Sequence, residues 1–107
     1  MARIIWAEPA LADLNEIAEF IALDNLPAAR RLVQRVFSGV ERLKRFPESG
    51  RTLPELEHSP YREIIVGPCR VIYRSDERTD QLFVLHGMRG ERQLRAYLLD
   101  SRAETRS

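Results

Sequence analysis

Arginines are the residues of this sequence whose type and spacing could do chemistry. Arg62, Arg70 and Arg89 fall within or at the ends of three consecutive apolar runs between residues 61 and 89. A cluster of guanidinium groups can hold a phosphate backbone, or stabilise the charge that develops during phosphoryl transfer. Arginines that lie along the edge of a core in solvent give the same pattern. Both interpretations therefore stay open from the residues alone.

A general base near these arginines has few candidates, because the chain contains only two histidines, His58 and His86. His86 lies on the last apolar run, and an imidazole can accept a proton in general base catalysis, so it is the candidate base. Cys69 could pair with it as a nucleophile, although a small strand residue beside a turn is the simpler interpretation. The cysteine and the two histidines are not spaced like zinc ligands, and no glycine-rich phosphate-binding loop follows a predicted strand. The sequence predicts no metal and no cofactor.

Turn residues divide the region around these arginines into three predicted strands. Gly67-Pro68 separates the first run from the second, and residues 76–80 separate the second from the third. Glycine, proline and aspartate at such breaks are typical of turns, so the pattern predicts a three-stranded antiparallel meander over residues 61–89. Side chains alternate along a strand, so Tyr73 is expected on one face and Arg70 and Arg74 on the other.

The first half of the chain predicts a short strand followed by a helical hairpin. Residues 2–6 have strand character, and apolar residues recur at helical spacing from Pro9 to about Leu23 and from Pro27 to about Phe46. Asn25 is placed to cap the second helix. So short a connection requires the two helices to lie antiparallel.

These elements together predict an α+β fold. It consists of the N-terminal strand, the antiparallel helical hairpin, the three-stranded antiparallel meander and a short C-terminal helix over residues 91–99. Residues 1–99 are expected to form one domain, and residues 100–107 a polar tail. The hairpin should cover one face of the sheet, with the first strand beside the meander. The other face, or a groove, should then be open to a partner.

Charge is distributed unevenly, although the formal net charge is only +1. Residues 1–25 carry one basic and five acidic residues, net −4, whereas residues 26–51 carry seven basic and two acidic residues, net +5. Such polarity can steer the approach of a partner. A single cysteine, the lack of a long apolar run and an acidic start without a signal-peptide pattern favour a cytoplasmic protein with no membrane span.

Four short stretches follow one another in a recognisable order. They are residues 4–10 (IIWAEPA), 46–51 (FPESGR), 61–74 (YREIIVGPCRVIYR) and 85–89 (LHGMR). Their order and spacing, over residues 3 to about 99, resemble the RelE/ParE toxin superfamily of bacterial toxin–antitoxin modules. The last two stretches are the most specific part of the resemblance.

The resemblance implies one of two targets. RelE-type members cleave mRNA in the ribosomal A site without a metal, using basic residues on the strands and a tyrosine near the C-terminus. ParE-type members lack most of that set and inhibit DNA gyrase. A lysine of the nuclease set would fall at Ile64 here, and the tyrosine near Arg95, with Tyr97 out of register. The missing residues favour the ParE-like branch.

The ParE-like interpretation implies a toxin that is not an enzyme, inhibits gyrase, and is neutralised by a ParD-like antitoxin in a hetero-oligomeric complex. The resemblance does not assign the residues that bind the antitoxin. The target-facing residues would be Arg89, Arg92, Arg95 and Tyr97. The alternative is a metal-independent, ribosome-dependent mRNA endonuclease, and a weaker one is a binding module without toxicity. The endonuclease site would consist of Arg62, Arg70, His86 and Arg89.

Overall fold

The computed structural model describes residues 2–89, which form two helices and five strands. The predicted α+β class and the predicted order of helices and strands are confirmed over this range, while the predicted helix over 91–99 lies outside it. No helix in the described range is long and apolar enough to span a membrane. The elements are β1 (Arg3–Trp6), α1 (Glu8–Ala22), α2 (Leu26–Arg42), β2 (Arg51–Thr52), β3 (Arg62–Val66), β4 (Cys69–Asp76) and β5 (Gln81–Arg89).

The five strands form one sheet in the order β1-β5-β4-β3-β2. The predicted meander is present, because β3 pairs antiparallel with β4 and β4 antiparallel with β5. β1 lies beside it, parallel to β5, with Ile4 opposite Leu82. Parallel strands need a long connection, and here the helical hairpin and the strands β2, β3 and β4 all lie between β1 and β5 in the chain. β2 was not predicted, since two residues are too few to show an alternating pattern.

The main core lies between the helical hairpin and one face of the sheet. On α2 the buried residues Leu32, Val36 and Val40 recur at intervals of four, and so lie on one side of the helix. They pack with Tyr73 and Val84, which are fully buried on β4 and β5. Each such apolar side chain contributes roughly 1.5–3 kcal/mol by leaving water.

The start of α2 agrees with the prediction, but its end does not. The Asn25 side chain accepts a hydrogen bond from the Ala28 amide at 3.0 Å and caps the helix. The helix ends at Arg42, four residues before the predicted end at Phe46. After Arg42 three successive amides, those of Leu43, Lys44 and Arg45, bond to carbonyls three residues back rather than four. Pro47 follows and lacks the amide hydrogen that a longer helix would need.

The connection between β2 and β3 covers part of the other face of the sheet, so that face is less open than predicted. Leu53 is fully buried and forms a second cluster with Ile72 and Met88, against which Leu56 and Tyr61 pack. The outward-pointing side chains of β4 and β5 are partly apolar, and a loop that supplies apolar side chains removes them from water.

Candidate functional site

Arg70 lies at the centre of a buried ion-pair network on the face of the sheet opposite the helices. Its Nε donates to Glu63 Oε1 at 2.6 Å, and Nη1 and Nη2 donate to the two carboxylate oxygens of Glu55 at 3.0 and 3.1 Å. The other oxygen of Glu63 accepts from Arg51 Nε at 2.5 Å. We refer to Arg51, Glu55, Glu63 and Arg70 as the arginine–glutamate network. It joins β2, β3, β4 and the loop that covers them.

Burial makes this network a structural feature with little room for a ligand. The side chains of Arg70 and Glu63 are 4% and 0% exposed. Three N–H donors of Arg70 are occupied by carboxylates, which leaves two of the five that a guanidinium carries. The two hydrogen bonds to Glu55, and then the one to Glu63, raise the pKa of Arg70, so this side chain stays charged.

Acid is expected to weaken the fold through Glu55. The hydrogen bond from Arg70 holds the pKa of Glu55 below its ordinary value of 4.5, against the opposing effect of burial. The folded-state value is the lower one, so this stabilisation is fully present above pH 4.5 and is lost as the pH falls through the folded-state pKa.

We expect Glu55→Gln to lower the free energy of unfolding at pH 7 by about 1 kcal/mol. We also expect it to flatten the acid side of the profile below pH 4.5, measured by urea unfolding at a series of pH values. Glu57→Gln removes an exposed carboxylate from the same loop and serves as the control for a lost charge. Parallel profiles for Glu55→Gln and the wild type would contradict this role of Glu55.

Arg62 and Tyr73 hold the segment after α2 against the sheet. Arg62 Nη1 donates to the carbonyl oxygens of Gly50 at 2.8 Å and Glu48 at 3.3 Å. The Tyr73 hydroxyl accepts from the Gly50 amide at 2.9 Å and donates to the Pro47 carbonyl at 2.8 Å. Burial raises the pKa of Tyr73, which keeps the hydroxyl protonated and able to donate. Arg62 thus contributes to local structure.

His86 and Arg89 both contact α1, but in different environments. His86 is 5% exposed, and its Nδ1 lies 3.5 Å from Asp13 Oδ2, an oxygen that also accepts from the Gly87 amide at 3.2 Å. Arg89 is exposed, and its guanidinium lies over the ring of Phe20, 4.4 Å from the centroid. Of these two side chains, only Arg89 is accessible to a large partner.

The four residues of the endonuclease hypothesis do not meet at one place. Arg62 is opposite Tyr73 and Arg89 is opposite Cys69, so their register positions are four residues apart on β4, roughly 13 Å along the strand. They also flank β4 from opposite sides, while Arg70 points to the other face of the sheet. Cys69 is no substitute nucleophile, because burial raises the pKa of its thiol.

The acidic partners of Arg70 were missed from the sequence. Glu63 occupies a fully buried position in β3, directly before three apolar residues. A buried carboxylate needs a cationic or hydrogen-bonding partner, so its presence was a signal that a nearby arginine was occupied. Glu55 gave no comparable signal, since it lies in an irregular loop. The predicted target-facing residues Arg92, Arg95 and Tyr97 lie outside the described residues.

Solved toxin structures share this architecture. The chromosomal ParDE system of P. aeruginosa superimposes with a TM-score of 0.68 at 23% identity, covering 85% of this chain and 98% of the other. The RelBE2 toxin–antitoxin complex of Mycobacterium tuberculosis gives 0.57 at 19% identity, covering 82% and 96%. The isolated E. coli RelE toxin gives 0.56 at 14% identity, covering 96% and 99%. The fold is therefore that of the RelE/ParE toxins.

Sequence comparison gives the family within this class. Toxin RelE2 of Caulobacter vibrioides is 36% identical over 72 residues, which are 67% of this chain and 77% of RelE2. The Sinorhizobium fredii protein Y4kP, described as a candidate toxin, is 36% identical over 86 residues, covering 78% and 86%. The model of the ParE toxin of the type II toxin–antitoxin system parDE matches residues 4–91, and the chain belongs to this family.

Proposed function

We propose that this protein inhibits DNA gyrase in the cytoplasm and that a ParD-like antitoxin neutralises it in a hetero-oligomeric complex. Membership of the ParE toxin family supports the toxin role. The similar structures of a ParDE system and a RelBE2 complex, both toxin–antitoxin pairs, support an antitoxin partner. The observation that carries the choice of gyrase over mRNA is the engagement of Arg70 by Glu55 and Glu63.

An arginine that cleaves RNA must reach the scissile phosphate. Arg70 would have to leave two carboxylates to do so, and Arg62 would have to leave the Gly50 carbonyl. Breaking a buried pair costs about 3–5 kcal/mol, which a catalytic site would have to recover from substrate binding. Ile64, which stands where the nuclease set has a lysine, provides no basic group. These observations support a toxin that acts by binding its target.

The proposed contact with gyrase is made by Arg89 and the residues that follow it. Arg89 is the one member of the target-facing set within the described residues, and it is exposed at the end of β5. Phe20, 56% exposed, lies beneath its guanidinium and adds apolar surface next to the charge. Arginine and aromatic side chains together are typical of the residues that dominate binding energy at interfaces. The set proposed is Arg89, Arg92, Arg95 and Tyr97.

A second candidate function is ribosome-dependent mRNA cleavage. It is favoured by the 36% identity to a protein named Toxin RelE2. Its residues would be Arg62, Arg70, His86 and Arg89, rearranged on the ribosome into a shared site.

Purified gyrase and relaxed plasmid test the first proposal. We expect the toxin to stop supercoiling and cleaved DNA to accumulate, and the antitoxin to restore supercoiling. Arg89→Ala should raise the toxin concentration for half-inhibition by about tenfold, the effect of losing roughly 1.4 kcal/mol of binding energy. Arg78→Ala removes an exposed arginine from the turn between β4 and β5 and is the matched control.

A purified translation system is the complementary measurement. Cleavage of ribosome-bound mRNA by toxin that leaves gyrase active would contradict the gyrase proposal and support the second candidate. A different result would contradict only the assignment of the target-facing residues. That result is gyrase inhibition at the wild-type level by the variants Arg89→Ala, Arg92→Ala, Arg95→Ala and Tyr97→Ala.

A further inference from the structure

We propose that one side of α2 is a docking surface for the phosphate backbone of DNA. We call this surface the basic face of α2 and define it as Arg31, Arg35 and Arg42, all exposed. None of the three takes part in an ion pair within residues 2–89. The choice of DNA as the polyanion rests on the proposed function, because gyrase acts on DNA.

The spacing of these arginines matches a linear polyanion. Positions separated by four and eleven residues return to nearly the same side of an α-helix, and eleven residues span roughly 16 Å along the axis. One strand of duplex DNA carries a phosphate about every 3.4 Å. A row of this length therefore faces several phosphates, and each guanidinium can contact one with two hydrogen bonds.

Among residues 2–89, the lining of the groove beside the basic face of α2 contains no unpaired carboxylate. It is an open groove of about 910 Å³ between α2 and the edge of β3. Arg51 and the apolar strand residues 64–66 form much of the opposite wall. Within residues 2–89, Glu63 is the one acidic residue in the lining, and its Oε1 accepts from Arg70 and its Oε2 from Arg51. An anionic backbone entering here meets arginines and, within the described part of the chain, no unpaired carboxylate.

The same groove is less suited to an added peptide strand. β2 pairs with β3 at residues 62 and 63 only, which leaves a free edge of three residues, 64–66. That edge ends at Gly67-Pro68, where the chain turns, and proline has no amide hydrogen to offer. So short an edge provides few backbone hydrogen bonds for β-strand addition. The row of arginines, which has no acidic partner in the described part of the chain, is the larger source of binding energy, and it favours phosphate.

Fluorescence anisotropy with the full-length toxin and a labelled short DNA duplex of mixed sequence tests this. Each phosphate neutralised by arginine contributes about −0.9 to the slope of log affinity against log salt. Three contacts give a slope of about −2.7, so wild-type affinity should fall about 40-fold between about 50 and 200 mM salt. The double variant Arg31→Gln/Arg35→Gln should retain a slope of about −0.9 and lose only about fourfold over the same range.

The matched control is Arg3→Gln/Arg78→Gln, which removes two exposed arginines from β1 and the β4–β5 turn. It should keep the wild-type slope, and both variants should keep the wild-type melting temperature. If both double variants lose the same amount of DNA affinity, the effect comes from net charge alone, and the proposal is overturned. Three other results would also overturn the proposal. The wild type binds no DNA, it binds an RNA duplex more tightly than DNA, or the basic-face variant weakens only the complex with the antitoxin. DNA binding is measured without gyrase, so a toxin that binds DNA through this face yet leaves supercoiling intact refutes the proposed function alone.

Discussion

Replacing Arg70 by alanine is expected to lower the free energy of unfolding by about 3 kcal/mol. Glu63 is fully buried and would keep only its bond to the half-exposed Arg51. Glu55 would lose both of its hydrogen bonds as well. Removing one partner of a buried ion pair costs about 3–5 kcal/mol, because a charge is left in a poorly solvating environment. The remaining contact to Arg51 places the expected value at the lower end.

Urea unfolding measures this, with Arg74→Ala as the matched control. Arg74 lies on the same strand and points to the same face, but it stacks on Phe83, 4.5 Å from the ring centroid, and makes no ion pair with any residue of the range 2–89. Its loss should cost less than about 1 kcal/mol. Equal costs for the two variants would show that the arginine–glutamate network contributes no more than a surface arginine.

A double replacement separates the structural role of Arg70 from a catalytic one. Arg70→Met/Glu63→Leu removes both buried charges, and such apolar replacements often leave stability unchanged or improved. If Arg70 is structural, this variant should fold and still arrest growth. A stable double variant that no longer arrests growth would show that the guanidinium itself acts on the target, and would favour the endonuclease.

The placement of side chains on β4 was predictable from the sequence because strand geometry is local. Alternation with a period of two puts Tyr73 in the core and Arg70 and Arg74 on the opposite face. The pairing of β4 with β3 is continuous, and the pairing with β5 shifts register between Ile72 and Tyr73 while Tyr73 stays in the core. The cap at Asn25 was predictable for the same reason. Its hydrogen bond joins residues three positions apart and depends on little else.

The partners of Arg70 and Arg62 were not predictable in this way, because they are brought in by loops. Glu55 is fifteen residues from Arg70 in sequence, and Gly50 is twelve from Arg62. No periodicity relates such positions, and the path of an irregular loop depends on packing of residues such as Leu53. An exposed row of charge, by contrast, follows from helix geometry alone. The basic face of α2 is therefore visible in the sequence, whereas its lack of acidic partners among residues 2–89 is visible only in the fold.

Gly50→Ala is the second substitution with a large expected effect, at about 3 kcal/mol of lost stability. A methyl group at this position would lie 2.4 Å from the Tyr73 hydroxyl oxygen and 2.7 Å from the Glu63 carbonyl oxygen. Tyr73 is fully buried and cannot rotate away, and the carbonyl belongs to a paired strand. Overpacking of this kind costs about 1–3 kcal/mol, and displacing Gly50 also breaks the hydrogen bonds that the Tyr73 hydroxyl makes, at about 1 kcal/mol each.

The comparison glycine is Gly67, which is constrained in a different way. Its φ of +55° disfavours a side chain, but the nearest atom to an added methyl group is Leu32 Cδ1 at 3.7 Å. Gly67→Ala should therefore lower the free energy of unfolding by only about 1–2 kcal/mol, the cost of a side chain at a positive φ. Adding Tyr73→Phe to Gly50→Ala should not restore stability, since the Glu63 carbonyl and the Tyr73 ring carbon at 2.7 Å remain in place. Urea unfolding measures the free energy that each variant loses. If Gly50→Ala loses less than Gly67→Ala, residues 47–50 can move off the sheet, and the stretch FPESGR is not fixed by close approach to Tyr73.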